Sequence, residues 1–145
     1  MMTQLMDARA GTITAAMRHV AQSENVDVQT VREELAAGRL VIPANQAHLK
    51  TNLRPVGIGR ALSTKVNANI GTSTIRCSVQ AEIEKMNAAL AVGADAIMDL
   101  STGGNLDSIR EEVLAHCPAP FGTVPIYEVI IGRSGCGKSV LLKHI

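Results

Sequence analysis

Aromatic side chains are almost missing from this chain, which has one Phe, one Tyr and no Trp in 145 residues. Phe121 and Tyr127 cannot fill a core, so that task falls to Ile, Val, Leu, Met and Ala. Such a core suits parallel strands covered by Ala-rich helices. Clustered positive charge is missing too. There is no run of five Lys or Arg, and the formal net charge is +1. The bulk-charge footprint of a nucleic-acid binder is therefore absent. No apolar stretch approaches the roughly 18 residues of a membrane-spanning helix. The N-terminal MMTQLMDARAGTIT carries Asp7 and no apolar signal-peptide core, so the expected location is the cytoplasm. Cysteine spacing excludes more. Cys77, Cys117 and Cys136 lie far apart, with no CxxC and no Cys/His cluster of metal-ligand spacing, and read as buried or incidental thiols.

What the chain does have is 46% apolar and 19% charged residues, the balance of a globular protein with one domain's worth of length. It also has a regular spacing. VNANIG around Asn69, AIMDLSTG around Met98 and TVPIYEV around Tyr127 follow one another at steps of 29 residues. That step fits one strand, one helix and two short loops, so the three segments read as successive strands of βα units. Side chains at the C-terminal ends of parallel strands line the ligand site of barrels and open α/β sheets. Equal steps return the chain to the same end each time and place Asn69, Met98 and Tyr127 around one rim.

The remaining pattern completes an α/β architecture with an N-terminal helical region. Residues 1–40 read as helical, with Thr14 capping a helix through Ala15, Met17, Val20 and Ala21. A second helix covers 28–37, with Gly38 at its C-terminal cap. The apolar LVIP at 40–43 reads as a short strand and 44–55 as a polar loop, while VGIGR at 56–60 is too Gly-rich to assign. Parallel strands are expected near 64–70, 94–100 and 122–127, with helices at about 78–92 and 105–116 between them. Ser78 opens the first of these helices, Glu82 complements its dipole, and Gly93 ends it. Pro118 and Pro120 stop the second.

Each rim residue has a plainer alternative. Asn69 can donate to and accept from a ligand hydroxyl or phosphate, or can simply close a turn before Gly71. Met98 can contact a ligand or fill core. Tyr127 offers a stacking face and a phenol. Asp99 and the STGG turn behind it can present hydroxyls and backbone N–H groups to an anion. The shared register of the three rim residues favours the functional reading, because loop decoration does not preserve it.

TQLMDARAGTIT, VIPAN with His48 three residues beyond, KVNANIGTS, GADAIMDLSTGG and PFGTVPIYEV together resemble the phosphomethylpyrimidine synthases of thiamine biosynthesis. The resemblance covers residues 3–128 and implies the first part of a TIM-like (β/α) barrel. It further implies a radical S-adenosylmethionine lyase that converts aminoimidazole ribonucleotide to hydroxymethylpyrimidine phosphate with a [4Fe–4S] cluster, together with zinc and a homodimer. The family's substrate-binding Asn, Met and Tyr fall on Asn69, Met98 and Tyr127. The 5-hydroxybenzimidazole synthases, a paralogous family using the same substrate, are the nearest alternative. The family's cluster-binding cysteine motif and zinc-binding histidines have no counterpart in these residues, so turnover by this chain alone is not expected.

After Glu128 the resemblance breaks. Residues 132–139 match GxxxxGK[ST], preceded by Val129, Ile130 and Ile131 and followed by VLLKHI. Gly137, Lys138 and Ser139 are the phosphate- and Mg²⁺-binding positions of such a P-loop. Only six residues follow Ser139, with no Walker B Asp, so 129–145 reads as a fusion or truncation remnant. A nucleotide-binding module is the competing function.

Overall fold

The computed structural model describes residues 3–45, 49 and 52–124, which fall into two compact units. The first comprises the chain up to Val66 together with Cys117–Pro120. Its three helices are α1 (Gln4–Arg9), α2 (Ala15–Glu24) and α3 (Val28–Ala36). Each starts where a short polar side chain replaces a missing backbone partner. Thr3 accepts from the Met6 N–H at 3.2 Å, Thr14 from the Met17 N–H at 3.2 Å, and Asp27 from the Gln29 N–H at 2.8 Å. Asn25 ends α2 in the left-handed region at φ 54°. Helix α3 packs on both α1 and α2.

The core of this unit gathers Ala8, Met17, Val20, Val31 and Leu35 from the helices with Leu40 and Ile42 beyond them. Burying a side chain of the Met, Val or Leu kind contributes about 1.5–3 kcal/mol each. Leu40 belongs to a two-residue strand, β1 (Leu40–Val41), which pairs antiparallel with β2 (Ile58–Gly59). The Gly-rich VGIGR thus supplies the partner of the strand expected at 40–43. At its rim, Lys65 lies 2.7 Å from Glu24, whose other oxygen accepts from the Ser63 N–H at 2.8 Å. Burial alone raises the Glu24 carboxyl; the bonds from Lys65 and Ser63 outweigh it and hold the group below its ordinary 4.5.

The second unit carries the βα repeat. Strands β3 (Asn67–Ile70), β4 (Ala96–Asp99) and β5 (Phe121–Thr123) lie in that order, all parallel. Between them run α4 (Val79–Ala91) and α5 (Leu106–His116). Ser78 caps α4 as expected, accepting from the Ala81 N–H at 3.4 Å, and Asn105 accepts from the Ser108 N–H at 3.3 Å ahead of α5. The two helices pack against each other. They cover the sheet face that carries Ile70, Ile97 and Asp99, since Arg110 of α5 reaches Asp99 at 3.0 Å. Met86, Ile109 and Val113 are the helix side chains buried beneath.

Expected and observed boundaries differ by up to three residues at the strand starts, where hydrogen-bonded pairing begins later than the apolar run. No helix among the described residues is long and apolar enough to cross a membrane.

Candidate functional site

Alternation along a strand decides which side chains share a face, and register decides which are neighbours. Asn69 is paired in register with Met98, and Met98 with Gly122. All three therefore stand on the face opposite Ile97 and Asp99, away from α4 and α5. They sit near the C-terminal ends of β3, β4 and β5. Asn69 is exposed and Met98 is half-buried. The equal steps in the sequence thus correspond to a register row, for the two of its three residues that are described. Tyr127 lies outside the described residues, as do His48, Cys136 and the P-loop pattern with Gly137, Lys138 and Ser139.

Asn69 is held by its neighbour two residues back on the same face. The Asn67 Nδ2 donates to Asn69 Oδ1 at 3.0 Å, which engages the amide oxygen and leaves the Asn69 NH₂ as the outward group. Met98 adds a polarisable thioether beside it. A hydrogen-bond donor next to a soft apolar surface suits a ligand with an oxygen-rich end and a flat ring.

Beneath this row the strand ends are fixed by a buried polar network. Asp99 is 2% exposed. Its Oδ1 accepts from the Ser101 N–H at 3.1 Å and from the Ser101 hydroxyl at 2.5 Å, and its Oδ2 accepts from Arg110 at 3.0 Å. Ser101 Oγ in turn accepts from the Thr72 N–H at 3.0 Å, and the Thr72 hydroxyl donates to the Gly103 carbonyl at 2.6 Å. The Thr102 N–H closes the circuit on the Thr72 carbonyl at 3.0 Å. This corrects the expectation that Asp99 and the STGG turn face an anion. The N–H groups of Ser101 and Thr102 are engaged inside the protein, and the turn braces two loops against each other.

Glu82 is corrected in the same way. It was expected as a dipole-complementing residue of the first turn, but it is 3% exposed and works in the tertiary structure. One oxygen accepts from the Gly71 N–H at 2.8 Å, and the other faces Lys85 at 2.6 Å. Lys85 also donates to the Gly71 carbonyl at 3.2 Å, so both backbone groups of the residue after β3 are tied to α4. Neither role was readable from spacing, because an acidic residue on a helix face carries no sign of what it will be packed against. The only available hint was that Asp99 stands in phase with Ile97 rather than with Met98.

The described residues do not fit an iron–sulfur cluster. Among them no group of three or more His, Cys, Asp or Glu side chains is arranged to hold a metal ion. Cys77 is exposed in the second unit, whereas Cys117 is buried in the first with its thiol pushed up by burial.

A run of βα units that brings a polar row to the strand ends is the ligand-binding arrangement of α/β enzymes. The chain belongs to the radical SAM ThiC family, whose sequence model matches residues 3–142. It is similar to the phosphomethylpyrimidine synthase of Moorella thermoacetica, 54% identical over 130 residues that cover 90% of this chain and 30% of that protein. The phosphomethylpyrimidine synthase of Natronomonas pharaonis is 53% identical over 130 residues, 90% of this chain and 27% of the relative. That of Thermoanaerobacter sp. is 51% identical over 130 residues, again 90% of this chain and 30% of the relative. The chain therefore spans less than a third of the length of these curated relatives.

Proposed function

We propose that this chain supplies the opening part of the substrate site of a phosphomethylpyrimidine synthase, with Asn69, Met98 and Tyr127 as the residues that meet aminoimidazole ribonucleotide. The observation that carries the reading is the register row Asn69–Met98–Gly122 on the helix-free face at the strand ends. On that face the Asn69 NH₂ donates to a ribose or phosphate oxygen while the Met98 thioether lies along the imidazole ring. The sequential order β3–β4–β5, with α4 and α5 packed together, supports a (β/α) barrel of which these are the first strands.

In this reading the whole protein is a cytoplasmic radical S-adenosylmethionine lyase that forms hydroxymethylpyrimidine phosphate for thiamine, as a homodimer. The part described binds and orients substrate; no step is assigned here to the [4Fe–4S] cluster or to zinc, since the described residues do not fit them. Residues 1–128 form the synthase-like part, and 129–145, with Gly137, Lys138 and Ser139, stand apart from it.

Calorimetric titration of the chain with aminoimidazole ribonucleotide tests the reading. Replacing Asn69 by Ala removes one donor to the ligand, so affinity should fall by about tenfold, roughly 1.4 kcal/mol. Equal affinity in the Asn69→Ala variant would remove Asn69 from the site, and absence of binding by the unaltered chain would remove the site itself.

A further inference from the structure

A glycine inside a strand weakens it and marks a place where something must come close. Gly122 is such a glycine, the middle residue of β5. Its backbone does not require glycine, since it is not among the residues with positive φ. What comes close is Met98, its register partner on β4. A Cβ built on Gly122 would stand 3.0 Å from Met98 Cε and 3.1 Å from Met98 Sδ, tighter than ordinary van der Waals contact. The only near neighbours of that Cβ are therefore the far end of one flexible side chain. No backbone obstructs it, unlike the glycines at 71 and 103.

We propose that Gly122 is the positioning residue for Met98: its bare Cα is the seat of the thioether and sets how far the sulfur projects beside Asn69. This rests on the substrate-site reading above. A methyl group at 122 displaces the thioether while leaving the strand intact, because Met98 can change rotamer at little cost. The displaced chain then moves within the face shared with Asn69 and occupies space meant for the ligand ring. Gly122 thereby limits which rings the site accepts, without itself touching the reacting part.

A double-mutant cycle separates positioning from simple strand stabilisation. In the full chain, Gly122→Ala should raise the Kd for aminoimidazole ribonucleotide about tenfold. In a Met98→Ala background the same substitution should change Kd by less than about twofold. An equal loss in both backgrounds would overturn the proposal, since a structural effect does not depend on the thioether. Methyl NMR gives a ligand-free readout, with the Met98 εCH₃ signal identified by its loss in Met98→Ala. That signal should shift in Gly122→Ala; an unmoved signal overturns the seat. If the unaltered chain fails to bind the nucleotide, the substrate-site reading falls, and the methyl shift alone then judges the seat. Should Gly122→Ala unfold the chain, recovery in the double variant upholds the contact and continued unfolding rejects it.

Discussion

In the N-terminal unit the fully buried side chains among the described residues are all apolar, whereas in the βα unit Asp99, Ser101, Thr72 and Glu82 are buried as deeply as Ile97 and Met86. The first unit excludes water by packing Met17, Val20, Val31, Leu35 and Leu40, and confines its polar bonds to helix caps and its rim. The second places carboxylates where the strands end and satisfies them there. Apolar burial is non-directional and tolerates adjustment, while a hydrogen-bonded carboxylate fixes distances and angles. A unit that must hold Asn69 and Met98 in one row gains from the second kind of interior.

That contrast can be broken most sharply at Asp99. Its replacement by Ala leaves Arg110 facing a buried gap and should cost about 3–5 kcal/mol. Amide hydrogen exchange should show lost protection in β3, β4 and α5, with α2 and α3 little changed. Equal loss in both units would mean that they do not differ as described. The reciprocal test is Met17→Ala, which opens a cavity in the apolar core and should cost about 3 kcal/mol. Protection should then fall in α1, α2 and α3 while Ile97 and Asp99 keep theirs.

A smaller effect sharpens the comparison at the rim. The Glu24 carboxyl is held below 4.5 in the folded protein, so its contribution is present above that pH and lost as pH falls through the folded value. The expected loss is at most about 1 kcal/mol, since the pair lies near the surface. Denaturant titrations at a series of pH values should show it, and Glu24→Gln should flatten that part of the profile. An unchanged profile in Glu24→Gln would place the acid sensitivity elsewhere.

The sequence was most legible where local chemistry is sufficient. Thr14 and Ser78 announce helix starts because a hydroxyl before an apolar-periodic run has one obvious use. The three strands were found by recurrence, and their parallel order follows from the helix-length gaps between them. The pairing of β1 with β2 was not legible, because Ile58 and Gly59 form too short and too Gly-rich a strand to show alternation. Thr3 and the short α1 merged into a general helical region for want of a second turn to set a period. In the site, the Asn69–Met98 pair followed from spacing alone. The roles of Asp99, Ser101 and Glu82 did not, because a buried polar residue is defined by partners that spacing does not identify.

The loops after β3 and β4 come within backbone distance of each other at Gly103, where a Cβ would stand 2.4 Å from the Ser73 carbonyl carbon. Thr72 bonds to Ser101, Thr102 and Gly103 across 29, 30 and 31 residues of chain. The consequence is evolutionary. Neither loop can drift alone: a side chain at 103 or a lost hydroxyl at 72 must be answered on the facing loop in the same lineage. By contrast, Val92, which is 87% exposed at the far end of α4, can be replaced or lengthened freely. Across homologues, substitutions at 72 should appear together with those at 101 and 103, and length variation should gather near 92–93 instead.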